Sequence, residues 1–201
     1  MIGILDYGAG NLRSVENTLA EIGAEYQIVG DAAGLRAAPK IVLPGVGHFG
    51  QMMRALDEMQ VRETLVERIR AGVPFLGICL GLQALFQHSE EAPDACGLGL
   101  YEGTVRRFPA DARVPHMGWN QLDRCGELPG ESRLMAGLEA HAYVYFAHSY
   151  YAPAIAQTAA TCTYLLPYTA VLEAGNTFAV QFHPEKSGPA GLRIIRNFVE
   201  L

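Results

Sequence analysis

Charged residues are scarce in this chain, and no stretch concentrates positive charge. Asp, Glu, Lys and Arg together make up 18% of the 201 residues, the formal net charge is −6 and the pI is near 5.5. Nucleic acids and anionic membranes attract basic surfaces. We therefore expect neither a nucleic acid nor a membrane as the main partner.

Long apolar runs are also missing. No run approaches the ~18 residues that a helix needs to span a bilayer. The first six residues, Met-Ile-Gly-Ile-Leu-Asp, contain no basic segment of the kind that opens a secretory signal. We expect a soluble, cytoplasmic protein.

Cysteines are few and far apart. The four of them form no Cys-x-x-Cys pair, and they stand at Cys79, Cys96, Cys125 and Cys162. Zinc sites and disulfide frameworks depend on closely patterned cysteines. The spacing indicates neither, so we expect reduced thiols and no metal site.

Hydrophobic residues make up 50% of the chain, which is enough to build one sizeable core. A length of 201 residues is short for two independent cores. The sequence contains no repeat and no linker rich in Pro, Ser or Gly. We expect a single domain over residues 1–201.

The first half of the chain alternates short apolar runs with helical patterns. Predicted strands cover residues 2–5, 25–29, 40–43 and 73–77, and predicted helices cover residues 12–22, 49–59 and 61–71. This alternation is typical of an α/β fold with a doubly wound, mostly parallel central sheet and helices on both faces.

The second half of the chain has a different residue pattern, because Pro and Gly interrupt the helical periodicity after Glu91. Strand-like runs cover residues 104–108, 119–122, 142–147, 156–164, 169–173 and 178–182. We expect them to complete the first sheet and to add a small antiparallel sheet. Ser187 is placed to cap a final helix.

A strand-to-helix turn around Cys79 is the first candidate for chemistry. Gly77, Cys79 and Gly81 form the pattern Gly-x-Cys-x-Gly, the cysteine version of a nucleophile elbow, in which small residues allow the sharp bend. We expect a helix carrying residues 83–86 to follow, with its amides favouring a thiolate at Cys79. A buried, unreactive cysteine explains this short pattern equally well, so a base elsewhere must decide.

A glycine-rich loop offers donors for a developing negative charge. Pro44-Gly45-Val46-Gly47 follows the third predicted strand, and its backbone is free to turn amides toward a ligand. An ordinary loop between strand and helix is the alternative. In a doubly wound sheet, however, this loop and Cys79 both lie at the carboxyl ends of strands, where ligands bind.

Six histidines compete to be the base, and His183 is the strongest. Pro184 favours an extended His183, and side chains two residues apart in extended chain point the same way, so Glu185 can orient the His183 ring. An accidental surface pair is the alternative. Together with Cys79, the pair predicts acyl transfer through a thioester.

The other five histidines have simpler interpretations. His88 suits a solvated position, His48 a helix cap or a wall of the site, and His141 a surface turn. His116 and His148 lie in aromatic stretches that suit either a ligand loop or a structural role.

The motifs together resemble a known family over essentially the entire chain. Residues 77–83, Gly-Ile-Cys-Leu-Gly-Leu-Gln, and His183-Pro184-Glu185 are similar to the class I, triad-type glutamine amidotransferases. Further stretches resemble the glutaminase subunits of imidazole glycerol phosphate synthases, namely residues 6–11 (Asp-Tyr-Gly-Ala-Gly-Asn), 44–47 (Pro-Gly-Val-Gly), 116–120 (His-Met-Gly-Trp-Asn) and 181–187 (Gln-Phe-His-Pro-Glu-Lys-Ser).

The resemblance implies a role for each matching position. Cys79 would attack the side-chain amide of glutamine, His183 would pass a proton to the departing ammonia, and Glu185 would orient His183. The oxyanion would be held by backbone amides of Val46, Gly47 and Leu80. Substrate would be bound by Gln83, Glu91, His148, Ser149 and Tyr150, with Glu91 on the α-ammonium. No metal or organic cofactor is implied.

The resemblance also implies a partner. In such heterodimers a (β/α)₈-barrel cyclase subunit receives the ammonia through an internal channel. The pair makes imidazole glycerol phosphate and an aminoimidazole-carboxamide ribonucleotide (AICAR) in L-histidine biosynthesis. The positions that resemble interface residues are Asn11, Trp119, Asn120 and Lys186. Trp119 is the only tryptophan, and a core position is as compatible with composition as an interface.

Two other interpretations compete with this one. Glutaminase subunits for anthranilate or aminodeoxychorismate synthesis resemble Pro-Gly-Pro-Gly in the oxyanion loop, and those for pyridoxal phosphate resemble Gly-Gly-Glu-Ser, whereas this chain has Pro-Gly-Val-Gly. A non-catalytic redox sensor or binding module could use the same cysteine turn. Such a protein would have no reason to carry His183-Pro184-Glu185.

Overall fold

The computed structural model describes residues 1–8, 12–125 and 132–201. Its strands are β1 Ile2–Leu5, β2 Tyr26–Val29, β3 Ile41–Gly45, β4 Phe75–Cys79, β5 Phe86–Ser89, β6 Tyr101–Arg107, β7 His116–Gln121, β8 Asp123–Arg124, β9 Tyr143–His148, β10 Tyr150–Tyr151, β11 Thr158–Tyr164, β12 Leu166–Ala174 and β13 Thr177–Val180. Its helices are α1 Leu12–Glu21, α2 Ala32–Ala37, α3 Phe49–Glu58, α4 Arg62–Arg70, α5 Leu80–Gln83 and α6 Gly188–Glu200, with a 3-10 turn at Pro184–Lys186.

An eight-stranded sheet forms the centre of the molecule, in the order β2-β1-β3-β4-β13-β12-β11-β8. The strands from β2 through β13 pair in parallel, and the remaining three pairs are antiparallel. Strands β3, β4 and β13 are buried along their whole length, as central strands covered on both faces must be. The carboxyl ends of these three strands therefore meet at one edge.

Helices cover both faces of this sheet. Apolar residues of α1 and α6 pack against one face in a cluster that includes Val15, Leu19 and Phe198. Apolar residues of α2, α3 and α4 pack against the other face in a second cluster. The spacing of the apolar residues along α6 shows why it docks: Ile194, Ile195 and Phe198 share the side that faces the sheet.

Two smaller sheets complete the architecture. Strands β10, β6 and β5 form a mixed three-stranded sheet, and β7 and β9 form a two-stranded antiparallel ribbon. The predicted α/β architecture, a mostly parallel central sheet with helices on both faces and a small antiparallel sheet, is confirmed. In the part of the chain that the structure describes, no helix is long and apolar enough to cross a bilayer.

The prediction of a helix over residues 83–86 was wrong at its end. Helix α5 stops at Gln83, and Phe86 begins strand β5. The predicted helix was too long because the apolar pattern continues past its end. Leu85 and Phe86 are both fully buried, as apolar residues of a helix would be. Helix α2 was not predicted, since Leu35 is its only buried residue and leaves no apolar period to detect.

The last helix begins where the sequence indicated, but its predicted cap does not form. Ser187 occupies the capping position of α6 without a side-chain bond to the helix. Its hydroxyl instead donates to the His183 carbonyl at 2.7 Å and accepts from the Tyr145 amide at 2.9 Å. The serine thus fastens the segment after β13 to β9.

Gly81 gives a test of the packing around the turn. A Cβ at this position would lie 2.2 Å from the Leu43 carbonyl oxygen, which belongs to the neighbouring strand and cannot move aside. We expect Gly81→Ala to lower the free energy of unfolding by roughly 3 kcal/mol or more. Gly30→Ala is the matched control, because no atom lies within 4 Å of its added Cβ, and we expect a change below about 0.5 kcal/mol. Equal midpoints in urea unfolding would contradict this packing.

Candidate active site

The central feature of the site is the turn between β4 and α5. Cys79 is the last residue of β4, and its backbone adopts φ 54° and ψ −105°, an angle pair that residues with a side chain rarely take. Gly77 and Gly81 flank it, and a Cβ on Gly77 would lie 2.6 Å from the Gly81 carbonyl oxygen. The side chain at the apex of this turn is the Cys79 thiol, which is 6% exposed.

A cavity of about 190 Å³ opens over this turn. Its lining contains every residue that the sequence predicted as nucleophile, base, oxyanion donor or substrate contact. Glu185, the predicted orienter of the base, does not line it. Its walls include Cys79, His183, Val46, Gly47, Leu80, Gln83, Glu91, His148, Ser149 and Tyr150. Pro115 and Ala147, which the sequence did not single out as site residues, also line it.

His183 and Glu185 lie side by side, as the sequence predicted. The ring Nδ1 of His183 is 2.9 Å from Glu185 Oε1, and the two side chains are 5% and 2% exposed. The extended backbone predicted for both residues is present only at His183. His183 is extended, with φ −98° and ψ 97°, but Glu185 belongs to the 3-10 turn that follows, so the chain curls to bring the carboxylate back to the ring.

The backbone of His183 is fixed independently of its ring. Its amide donates to the Tyr145 carbonyl of β9 at 2.9 Å, and its carbonyl accepts from the Ser187 hydroxyl. Two backbone hydrogen bonds, one to Tyr145 of β9 and one to Ser187, therefore hold His183 independently of the contacts of its ring. The ring uses Nδ1 for Glu185, and His183 and Cys79 line the same cavity.

The surroundings of His183 favour its protonated form. Burial of the ring lowers its pKa, but the hydrogen bonds and charges of Cys79 and Glu185 outweigh burial and raise the pKa from 6.5 to about 10. The protonated ring therefore lies between the Cys79 sulfur and the Glu185 carboxylate. It can supply a proton to a leaving group.

The candidate oxyanion loop lies directly beside the nucleophile. Gly45, the last residue of β3, is the sheet partner of Cys79, so Val46 and Gly47 emerge next to the thiol. The Tyr7 hydroxyl donates to the Val46 carbonyl at 3.4 Å, and Gly47 has a φ of +95°, which favours glycine. Burial raises the pKa of Tyr7, so the hydroxyl keeps its proton. Sequence reasoning quoted Tyr7 in a motif but gave it no role.

Glu91 reaches the cavity from the loop after β5. Its Oε2 accepts from the Phe49 amide at 2.8 Å, at the N-terminus of α3. His48 caps the same helix, with its Nδ1 accepting from Gly50 at 3.1 Å. The carboxylate of Glu91 is thereby held in place while it lines the cavity.

His148 is buried in a polar network rather than free to titrate. Its Nδ1 donates to the Tyr150 carbonyl at 2.8 Å, and its Nε2 lies 3.3 Å from the Tyr168 hydroxyl. Burial of the ring is the main cause that lowers its pKa to about 3. The neutral ring fixes the 148–150 segment, whose backbone borders the cavity. His116 stacks on Tyr164 at 4.1 Å and is likewise structural.

A second buried amide network reaches the thiol from the opposite side. Gln83 Nε2 donates to the Tyr150 carbonyl at 2.8 Å and to Gln181 Oε1 at 3.1 Å. Gln181 Nε2 in turn lies 3.6 Å from Cys79 Sγ. Sequence reasoning did not assign a role to Gln181. Its position could have indicated a role, because Gln181 lies two residues before His183 and directly after β13, the strand next to β4.

The positions that resemble interface residues lie outside the cavity. Trp119 is 55% exposed on β7, opposite Tyr145 of β9, so it is not a core tryptophan. Asn120 donates to the Thr163 carbonyl at 3.1 Å, and Lys186 is exposed in the 3-10 turn. Asn11 lies outside the described residues.

Trp119 belongs to an exposed apolar face on the ribbon of β7 and β9. Met117 is 64% exposed and Tyr143 is 58% exposed, and the sheet register places both on the same side as Trp119. Ala147, the sheet partner of Met117, also lines the cavity over Cys79. We call this exposed side of Met117, Trp119 and Tyr143 the ribbon face.

The remaining histidines lie away from the nucleophile. His141 is exposed and its Nδ1 lies 3.3 Å from Asp123 Oδ1, while His88 is exposed on β5. Within residues 1–8, 12–125 and 132–201, no group of three or more His, Cys, Asp or Glu side chains is arranged to hold a metal ion.

Comparison with known proteins identifies relatives along the full length of the chain. The family model for glutamine amidotransferase class-I matches residues 3–201. An imidazole glycerol phosphate synthase subunit HisH from Methanothermobacter thermautotrophicus is 50% identical over 202 residues, covering 100% of this chain and 98% of the relative. The subunit of the same name from Deinococcus radiodurans is 47% identical, covering 97% of this chain and 91% of the relative.

Solved structures share the fold at lower identity. A structure described as a glutamine amidotransferase superposes with a TM-score of 0.76 at 21% identity, covering 99% of this chain and 97% of the other. The structure of PurLQS from Thermotoga maritima gives a TM-score of 0.77 at 19% identity, with the same coverage. These superpositions support the fold.

The charge state of His183 is directly measurable. In a ¹⁵N-histidine NMR titration we expect both His183 nitrogens to stay protonated at about pH 8, because its pKa is raised to about 10. Since the folded pKa exceeds the unfolded value of 6.5, this charge stabilises the fold fully below about pH 6.5, and its contribution is lost as the pH rises toward 10. Glu185→Gln, which removes the carboxylate charge, should lower the pKa of His183. A His183 ring that titrates near 6.5 in the unsubstituted protein would contradict the arrangement.

Proposed function

Because the chain belongs to the class I glutamine amidotransferase family, we propose that Cys79, His183 and Glu185 hydrolyse the side-chain amide of L-glutamine to L-glutamate and ammonia. The observation that carries this proposal is that Cys79 shares a cavity with His183, whose ring contacts the buried carboxylate of Glu185. Relatives that are 43–50% identical along the chain carry the name of an imidazole glycerol phosphate synthase subunit. The chain is the glutaminase subunit of that synthase and acts in histidine biosynthesis.

The first half of the reaction forms a thioester. The Cys79 thiolate attacks the side-chain carbonyl carbon of glutamine, and the C–S bond forms as the carbonyl π electrons move to oxygen. When the oxyanion collapses, the C–N bond breaks and the His183 imidazolium gives its proton to the departing nitrogen, which leaves as ammonia. Glu185 keeps the ring oriented and stabilises its positive charge throughout.

The second half restores the enzyme. Water enters after ammonia has left, and the now neutral His183 takes a proton from it as its oxygen attacks the thioester carbon. The C–S bond breaks, the electron pair returns to sulfur as the thiolate, and glutamate is released. His183 is again an imidazolium, which is the form that its raised pKa favours.

The rest of the cavity supplies binding and charge stabilisation. We assign the amides of Val46, Gly47 and Leu80 to the oxyanion, where each donor contributes roughly 3 kcal/mol in comparable acyl-transfer sites. Glu91 is assigned to the α-ammonium of glutamine, since its carboxylate is anchored at the wall of the cavity. The backbone of residues 148–150 is assigned to the α-carboxylate, with Gln83 bracing it through the Tyr150 carbonyl.

The ribbon face is the proposed docking surface for the partner subunit. The partner is a (β/α)₈-barrel cyclase, which uses the ammonia to make imidazole glycerol phosphate and AICAR. The placement of the ribbon supports this, because Ala147, the sheet partner of Met117 on the same side of the ribbon, lines the cavity over Cys79. Docking here would place the partner directly over the point where ammonia is released.

Cys79→Ala tests the nucleophile. With the partner subunit and its nucleotide ligand present, we expect glutamate release from glutamine to fall by about 1,000-fold or more, because the substitution removes the sulfur that forms the acyl intermediate. Cys96→Ser is the matched control, since Cys96 is an exposed thiol outside this cavity, and it should keep full activity. Glutamate release by Cys79→Ala at the unsubstituted rate would disprove the proposed function.

Trp119→Ala tests the docking surface. Removing a large, half-exposed aromatic ring from the centre of an interface should weaken partner binding by about 10-fold or more in calorimetry, without changing thermal stability. Ile28→Ala is the matched control, because Ile28 is 44% exposed on the edge strand β2 and should leave affinity unchanged. Equal affinities for both variants would place the partner elsewhere.

A further inference from the structure

Gln181 is a fully buried amide that contacts the proposed nucleophile. It follows directly after β13 and is 0% exposed. Its backbone amide is bonded to the Ala170 carbonyl at 2.9 Å, so the residue cannot shift along the sheet. Its side-chain Nε2 lies 3.6 Å from Cys79 Sγ, within the range of a hydrogen bond to sulfur.

The direction of the Gln181 amide follows from its neighbours. The Tyr150 carbonyl can only accept, so the Gln83 atom that lies 2.8 Å from it must be the NH₂ group. That same NH₂ group lies 3.1 Å from the other side-chain end of Gln181, which must therefore be its oxygen. The NH₂ group of Gln181 is left facing the sulfur, and the amide cannot be reversed without placing two donors against each other.

We infer that Gln181 is a further catalytic residue, whose side-chain NH₂ donates a hydrogen bond to the Cys79 thiolate and holds the sulfur toward the cavity. The inference rests on the proposed function, because it concerns the same nucleophile. Gln181 transfers no proton. It stabilises the thiolate before attack, and it stabilises the thiolate again when the C–S bond of the thioester breaks.

The same contacts give Gln83 a second task. Through one NH₂ group it connects the Tyr150 carbonyl, in the segment assigned to the substrate carboxylate, to the oxygen of Gln181. If the glutamine substrate displaces the Tyr150 carbonyl, Gln83 would move with it and would turn the Gln181 amide that faces the Cys79 sulfur. Gln83 is thus a positioning residue for Gln181.

The test begins with Gln181→Met, which keeps the length of the side chain and removes both polar ends. In the complex with the partner subunit and its nucleotide ligand, we expect kcat for glutamate release to fall about 10- to 100-fold, the range for losing a hydrogen bond to a charged group, while KM for glutamine changes by less than about 3-fold. Gln157→Met is the matched control, since Gln157 does not line the cavity, and its kcat should be unchanged.

A second readout separates a hydrogen bond to the thiolate from general damage to packing. In a Cys96→Ser, Cys125→Ser background, which removes the two more accessible thiols and leaves buried Cys162, the alkylation rate of Cys79 by iodoacetamide is measured against pH. Gln181→Met should move this profile to higher pH. Gln83→Met leaves Gln181 in place but frees its amide, so we expect a smaller movement in the same direction.

The outcomes separate this inference from the proposed function. If the unsubstituted complex releases no glutamate, the proposed function fails. If it does release glutamate, and both Gln181→Met and Gln83→Met leave kcat and the alkylation profile unchanged, Gln181 has no catalytic role. A loss of kcat with an unmoved alkylation profile in both variants would also overturn the inference, since it would show a packing effect alone.

Discussion

The backbone turn at Cys79 is the constraint on which the rest of the site depends. A residue with a side chain at φ 54° and ψ −105° is strained by about 1 to 3 kcal/mol, and this conformation persists only where the surrounding structure holds it. Here β4 is held between β3 and β13 in the centre of the sheet, and Gly77 and Gly81 allow the chain to bend back on itself. The fold therefore supplies the strain energy that keeps one thiol at the wall of a cavity.

Strand order explains how residues so distant in sequence meet at that thiol. Strands β3 and β13 run parallel to β4 on its two sides, so the loops that follow them emerge at the same edge. One loop provides Val46 and Gly47, and the other provides Gln181 and His183. The thiol is thus flanked on one side by the Val46–Gly47 loop and on the other by the Gln181 amide and the His183 ring, which Glu185 contacts.

Sequence reasoning predicted much of this arrangement, because the informative residues are constrained by local physics. The glycines around Cys79, the His183–Glu185 spacing and the alternation of strands and helices each indicate a structure without knowledge of distant contacts. The limits of β5 could not be predicted, since Phe86 is buried whether it lies in a helix or a strand. Nor could the Gln83–Gln181 contact, which joins two ordinary polar residues that only the sheet order brings together.

The central claim is that the thiol at this turn becomes covalently attached to the substrate. The most direct measurement is mass spectrometry of the complex after rapid acid quench during turnover of glutamine. The account predicts a mass increase equal to one glutamyl group, on the peptide that contains Cys79, which disappears once glutamine is exhausted. Glutamate release with no acyl group on Cys79 at any time, or with the acyl group on another residue, would contradict it.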